Sequence, residues 1–183
     1  PELVITYTSD VCPPAGIACD DGNNATGSDL TDGNCGCAGA STNISNLFFA
    51  TSITNGSDDV EERGTNGRVN HNSSDLELTY DRNKTGNQTI GLRFNGVFLP
   101  PGATIDSAYV QFTVDETRNS AGSLNIYAEA TGDSQPFTRD YYNVSSRSKT
   151  AASVSWTPAN WNTVGSTSTA QRTPDITSII QEI

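Results

Sequence analysis

The sequence predicts an all-β protein, an antiparallel β-sandwich, on three observations. Apolar–polar alternation recurs along the chain and is clearest between Gly91 and Val114: Leu92 and Phe94 face one way against Arg93 and Asn95, then Ala108, Val110, Phe112 and Val114 against Tyr109, Gln111 and Thr113. A period of two is that of half-buried strands. Pro100-Pro101-Gly102 separates the two runs. The prolines lack N–H groups and glycine accepts positive φ, so this loop ends both ladders. Ser, Thr, Asn and Gly crowd the chain while hydrophobic residues make up 34%, which suits a turn-rich β protein with one core. This pair of strands is placed at the centre of the sandwich.

The remaining elements follow in order. PELVITYT, residues 1–8, alternates Leu3, Ile5 and Tyr7 against Val4, Thr6 and Thr8 and reads as a strand. It is severed from later strands by a segment almost free of apolar residues. A lone strand cannot satisfy its backbone or bury its apolar face, so it must join a sheet, in its own domain or in a neighbouring module. The chain therefore divides into the strand 1–9, a Cys/Asp/Gly-rich linker 10–42 and the sandwich 43–183. Within the sandwich, strands are expected over Ile44–Thr54, which contains Leu47, Phe48, Phe49 and Ile53, over SSDLELTYD (Ser73–Asp81), over SLNIYAEAT (Ser123–Thr131) and over AASVSW (Ala151–Trp156). Residues 134–150 read as a long polar loop with Phe137, Tyr141 and Tyr142 interleaved. At the end, Thr173, Pro174 and Asp175 suit the N-cap, first position and first turn of a short C-terminal helix carrying Ile176, Ile179, Ile180 and Ile183 on one face.

Composition bounds the partners. The chain has 183 residues, a net charge of −11 and ten basic residues, which argues against nucleic-acid and anionic-membrane binding. No apolar run is long enough to span a bilayer. With neither initiator Met nor signal peptide, the chain reads as a mature or excised segment. All four cysteines, Cys12, Cys19, Cys35 and Cys37, lie in the linker. An even, clustered set in an acidic, Ser/Thr-rich chain reads as disulfides in an oxidising, extracellular setting. A Cys₄ zinc site would want paired C-x₂-C knuckles, which the spacing lacks. A Cys35–Cys37 bridge would be strained, so each is expected to pair with Cys12 or Cys19, in an order left open.

Two acidic clusters are candidate calcium sites. In the linker, Asp20, Asp21, Asn23, Asp29 and Asp32 offer hard oxygen ligands around glycine bends, as Ca²⁺ coordination requires. The EF-hand spacing is absent, and a solvated linker with Asx-turns is the competing reading. In the sandwich, Asp58, Asp59, Glu61 and Glu62 crowd one short run. They would repel unless solvated or sharing a cation, and no adjacent His, Lys or Tyr divides acid and base roles between them. Asn-x-Ser/Thr sequons occur at Asn24, Asn43, Asn55, Asn72, Asn83, Asn87 and Asn143, and Asp106-Ser107-Ala108 makes Ser107 an O-linked candidate. Trp161, Tyr141 and Tyr142 are candidate platforms for stacking a sugar ring, whereas Trp156 falls on a core face. His71 is the only histidine and sits in a polar loop. No G-x-S-x-G, His-rich metal pattern or phosphate loop is present, so the chain reads as non-catalytic.

The segments CPPAGIACDDGNN with CGCAG, SDDVEER with SSDLELTYD, IGLRFNGVFLPPGATIDSAYVQFTVDE, NVSSRSKTAASVSW and QRTPDITSIIQEI resemble a repeat module of large secreted bacterial surface proteins. The resemblance covers nearly the whole chain and implies a jelly-roll-like sandwich of the kind found beside enzymes and adhesion or glycan-binding modules. Two features depart from it. A strand like PELVITYT closes such a unit at its C-terminal end, yet here it comes first, and further strands past the helix are missing. The chain thus resembles a repeat cut out of phase. A sandwich lacking a strand, preceded by a strand on a linker, suggests complementation between copies. Leu3, Val4, Ile5, Thr6 and Tyr7 would be the assembly strand of an extracellular, glycosylated, Ca²⁺-stabilised filament on the cell surface. The alternative is a carbohydrate-binding or adhesion module of a secreted multidomain protein.

Overall fold

A computed structural model describes residues 1–8, 47–73, 75–78, 80–81, 86–117 and 122–183. These fold mostly as antiparallel strands: β1 (Glu2–Thr8), β2 (Leu47–Ser52), β3 (Asp59–Arg63), β4 (Val69–Asn70), β5 (Tyr80–Asp81), β6 (Gly86–Leu92), β7 (Thr104–Gln111), β8 (Leu124–Ile126) and β9 (Val154–Trp156). One helical turn, α1 (Thr177–Ile180), follows near the C-terminus. The strands form three sheets, ordered β2-β1-β7, β4-β3-β6-β5 and β8-β9. No helix among the described residues is long and apolar enough to cross a membrane.

The alternating runs become strands, but not partners. β6 pairs with β3 and β5, whereas β7 pairs with β1. The Pro100-Pro101-Gly102 loop therefore carries the chain from one sheet to another, with Gly102 at φ +81°. The run after the loop packs as its pattern predicts: Ala108, Val110, Phe112 and Val114 are all buried.

One core joins the sheets. Leu3, Ile5, Tyr7, Leu47, Ile105, Ala108, Val110, Phe112, Trp156, Ile176 and Ile179 are buried together, and Leu92, Phe94, Leu124 and Ile126 pack against them. The rings of Phe112 and Trp156 stack with centroids 5.8 Å apart, and Trp161 tilts against both at 6.0 and 6.5 Å.

Several elements are shorter than their patterns suggest: of Ser123–Thr131 only Leu124–Ile126 is strand, and of Ala151–Trp156 only Val154–Trp156. Of the stretch Ser73–Asp81 only Tyr80–Asp81 is strand among the described residues, although Leu78 still packs on the core. The C-terminal helix shrinks to one turn. Its N-cap is Ile176, without a side-chain cap, and not Thr173. Thr173–Ile176 instead runs along the outer edge of β7. Thr173 and Ile176 donate their N–H groups to the carbonyls of Val110 and Ala108 at 3.0 and 2.8 Å. An unpaired sheet edge offers this segment more hydrogen bonds than a first helical turn, whose N–H groups have no intrahelical partner.

Candidate functional site: the groove that holds the first strand

β2 and β7 flank a gap one strand wide, and β1 fills it. Both are antiparallel to β1, so they run parallel to each other. Glu2 to Tyr7 lie opposite Ser52 to Leu47 on one side. On the other, Glu2 to Thr6 lie opposite Gln111 to Ser107, then Tyr7 and Thr8 opposite Ile105 and Thr104. The ladder continues past the strand, with Ile53 N–H donating to the carbonyl of Pro1 at 3.2 Å. Among the described residues β1 is the only strand that pairs with β2.

Alternation decides what the strand presents. Leu3, Ile5 and Tyr7 point into the core, with exposures of 5%, 0% and 0%. Val4, on the opposite face, is buried too, between Ala50 and Tyr109, while Thr6 is half-buried. Leu3 and Ile5 alone contribute roughly 3–6 kcal/mol of burial. A domain's whole stability is about 5–15 kcal/mol, so the sheet depends on having this strand.

The β1–β7 register shifts between Thr6 and Tyr7: β7 advances two residues, Ser107 to Ile105, while β1 advances one. Asp106 is the extra residue, a β-bulge. Its Oδ2 accepts the Thr8 hydroxyl at 2.8 Å and ties down the end of the strand. The bulge keeps Ile105 and Ala108, three residues apart, on one buried face. The Tyr7 hydroxyl beside it is buried and has no hydrogen-bond partner among the described residues. Burial pushes its pKa above the ordinary 10.0.

The opposite edge of β7 is closed by the C-terminal segment. Phe112 N–H donates to the Gln171 carbonyl at 2.9 Å. Val110 N–H donates to the Thr173 hydroxyl at 3.0 Å, Ala108 N–H to the Asp175 carboxylate at 3.2 Å and Ile105 N–H to the Gln181 side chain at 2.8 Å. Side chains thus replace the ladder of a further strand. Burial works to raise the pKa of Asp175, but hydrogen bonds from the Thr177 hydroxyl and from the N–H groups of Ala108 and Thr177 outweigh it and hold the carboxyl below its ordinary range. Glu182 accepts from Ala152 and Ala151 N–H, both at 2.7 Å, and these bonds lower its pKa.

The acidic run of β3 disperses. Asp58 is buried against the Arg93 guanidinium at 2.9 Å and the Asn95 amide at 2.7 Å. Glu61 and Glu62, consecutive in a strand, face opposite ways and are buried at 1% and 2% exposure. Glu61 accepts Glu77 N–H at 3.1 Å; Glu62 accepts Val144 and Ser145 N–H at 2.8 and 3.0 Å. Asp59 is half-buried, and burial, helped by the Asp58 and Glu61 carboxylates, raises its pKa. Among the described residues no three His, Cys, Asp or Glu side chains converge to hold a metal ion. Cys12, Cys19, Cys35, Cys37, Asp20, Asp21, Asn23, Asp29, Asp32, Asn24, Asn43 and Asn83 lie outside the described residues.

Of the acceptor candidates, Asn55, Asn72 and Asn87 are exposed. Asn55 Oδ1 accepts both the N–H and the hydroxyl of Ser57 at 3.1 Å, an Asx-turn. Asn143 is half-buried, with its Oδ1 held by Thr138 N–H at 2.8 Å and by Arg147 at 3.2 Å. Ser107 is half-buried in β7 opposite Thr6. Trp161 packs beside Phe112 and Trp156 and donates its indole N–H to the Ala170 carbonyl at 3.2 Å. Tyr141 and Tyr142 stand out at 65% and 49% exposure. The ring of His71 lies 2.9 Å from the Thr138 carbonyl.

Sequence reasoning missed Asp106, although the signal was there: the apolar parity of β7 breaks between Ile105 and Ala108, as a bulge requires. It also missed Arg147, which donates to the carbonyls of Asn143, Gln135 and Pro136 and to Glu129, and lies over the Phe137 ring at 4.5 Å. No local pattern marks that residue. Comparison with protein-family models, with curated proteins and with solved structures found no match to this chain.

Proposed function

We propose that this chain is a non-catalytic structural subunit of an extracellular filament, assembled head to tail when β1 of one copy fills the groove between β2 and β7 of the next. The observation that carries the reading is β1 itself. It is the middle strand of its sheet, it supplies three buried core residues, and 38 residues of linker separate it from the strand it pairs with. Within one copy, β1 fills the groove as a closed, self-complemented form. Exchanging it between copies keeps every contact, which is the logic of strand exchange and domain swapping.

The balance between the two forms rests on the linker. Closing so long a loop costs about 3 kcal/mol, and the effective concentration of a tethered partner falls as the connection lengthens. Disulfides among Cys12, Cys19, Cys35 and Cys37 would shorten and stiffen the tether, and Ca²⁺ bound at Asp20, Asp21, Asn23, Asp29 and Asp32 would do the same. Both disfavour folding back and favour a neighbour. Donor and acceptor are different surfaces, so the contact is heterologous and grows into a filament or closes into a ring. Glycans on the exposed sequons would coat such a fibre without touching the groove.

A synthetic peptide of residues 1–8, added in excess during assembly, tests this reading. It should cap the grooves and shorten the polymers in proportion to its concentration, while a scrambled peptide leaves them unchanged. A chain that stays monomeric at every concentration and ignores both peptides overturns the proposal.

A further inference from the structure

The loop 138–146 holds a flat aromatic surface in a conformation that costs energy. Tyr142 has φ +63°, the one non-glycine residue with positive φ among the described residues. For a bulky side chain this is an outlier of order 1–3 kcal/mol. The conformation is fixed from several sides. Tyr142 N–H donates to the Gly67 carbonyl at 2.7 Å and its carbonyl accepts Ser146 N–H at 3.0 Å. Glu62, buried in β3, clamps the N–H groups of Val144 and Ser145. Arg147 gathers the carbonyls of Gln135, Pro136 and Asn143.

The ring sits flat on Gly67. A Cβ added at Gly67 would lie 2.5, 2.5 and 2.6 Å from Cγ, Cδ1 and Cδ2 of Tyr142. Near-equal distances to these three atoms place Gly67 over the ring face. One face is therefore packed against backbone, and the residue as a whole remains 49% exposed. Tyr141 beside it is 65% exposed. The same loop also borders a shallow concavity of about 480 Å³ lined by Asn55, Ser57, His71, Asn72, Thr138 and Arg139. A rigid aromatic face suits the C–H face of a sugar ring, and the amide, hydroxyl and guanidinium groups of the concavity, which Tyr141 and Tyr142 do not themselves line, suit its hydroxyls.

The geometry points to Tyr142, with Tyr141, as a stacking platform for a hexopyranose ring, in a saccharide site separate from the β1 groove. Glycine would adopt this φ without strain but would leave no platform. The sugar could be free, or a glycan carried by another copy of this chain.

The test is titration of the full-length chain, produced without glycosylation, with maltohexaose, cellohexaose and chitohexaose, followed by NMR shifts of the 138–146 amides. At least one should bind. Tyr142→Phe should keep the affinity within about threefold, while Tyr142→Ala and Gly67→Ala should lose at least about tenfold. Tyr142→Gly separates a binding role from a conformational one: it removes the platform and should abolish binding, while glycine adopts this φ freely and keeps the backbone path of the loop. Saturation of native, glycosylated chain that is relieved only by deglycosylation identifies the copy's own glycans as the source. No shift with any of the three sugars, in unglycosylated and deglycosylated chain alike, overturns the proposal. So does a Tyr142→Gly variant that binds like the parent.

Discussion

At the scale of single residues, buried polar atoms decide what is stable and what can be switched. The Tyr7 hydroxyl is buried without a partner among the described residues, so Tyr7→Phe should stabilise the fold by about 1 kcal/mol, read from the urea midpoint. Its raised pKa also fixes a sign. The folded value lies above the ordinary 10.0, so the stability is complete below pH 10 and falls as pH rises past it, when the freed tyrosine ionises and the seated one cannot. Comparing wild type with Tyr7→Phe between pH 9 and 12 should show an alkaline loss of stability that the variant lacks in part. Glu62 is the opposite case, a buried carboxylate with two backbone donors. Glu62→Ala leaves both N–H groups unpaired, and a loss of about 3 kcal/mol is expected in denaturant unfolding. A variant as stable as the parent would show that solvent reaches the turn 140–146.

At the scale of elements, legibility followed locality. β1 and the part of β7 from Ala108 onward were readable because their alternation is local. The partners of β6 and β7 were not, because the Pro100-Pro101-Gly102 loop looks the same whether it closes a hairpin or crosses between sheets. The helix expected over Thr173–Ile183 had sound capping residues, yet the unpaired edge of β7 outcompeted them, and such an edge exists only in the folded sheet. The acidic run read as one cluster because sequence neighbours look close. In a strand, Glu61 and Glu62 face opposite sides, and each found its own N–H donors. The edge cover is acid-labile in a defined direction. Asp175 and Glu182 have folded pKa values below the ordinary 3.8 and 4.5, so their contribution is present above those values and is lost as pH falls through the lowered ones. Hydrogen exchange at Ala108, Ala151 and Ala152 should stay slow from pH 7 to 5 and lose protection only as pH falls below the ordinary 3.8 for Asp175 and 4.5 for Glu182. Protection that persists to pH 2 would show that the carboxylates do not hold the segment. In β1, Ile5→Ala should cost about 2–5 kcal/mol, because the residue is fully buried between two strands.

At the scale of the whole molecule, the sheet β2-β1-β7 is complete only when its middle strand is present, and 38 residues of chain separate that strand from β2. The groove does not distinguish whose strand fills it. The Asp106 bulge and its hydrogen bond to Thr8 fix where the strand stops, so every junction in a polymer would share one register. Asp106→Ala should therefore leave the monomer fold intact while making the repeat along a fibre less regular, visible as weakened layer lines in filament images. The measurement that tests strand exchange most directly is a cryo-electron microscopy map of native assemblies at side-chain resolution, in which the density between β2 and β7 is traced back along its linker. Residues 1–8 leading to a neighbouring copy at every groove is the predicted result. Residues 1–8 leading back into the same copy, or an absence of assemblies in native material, would contradict it.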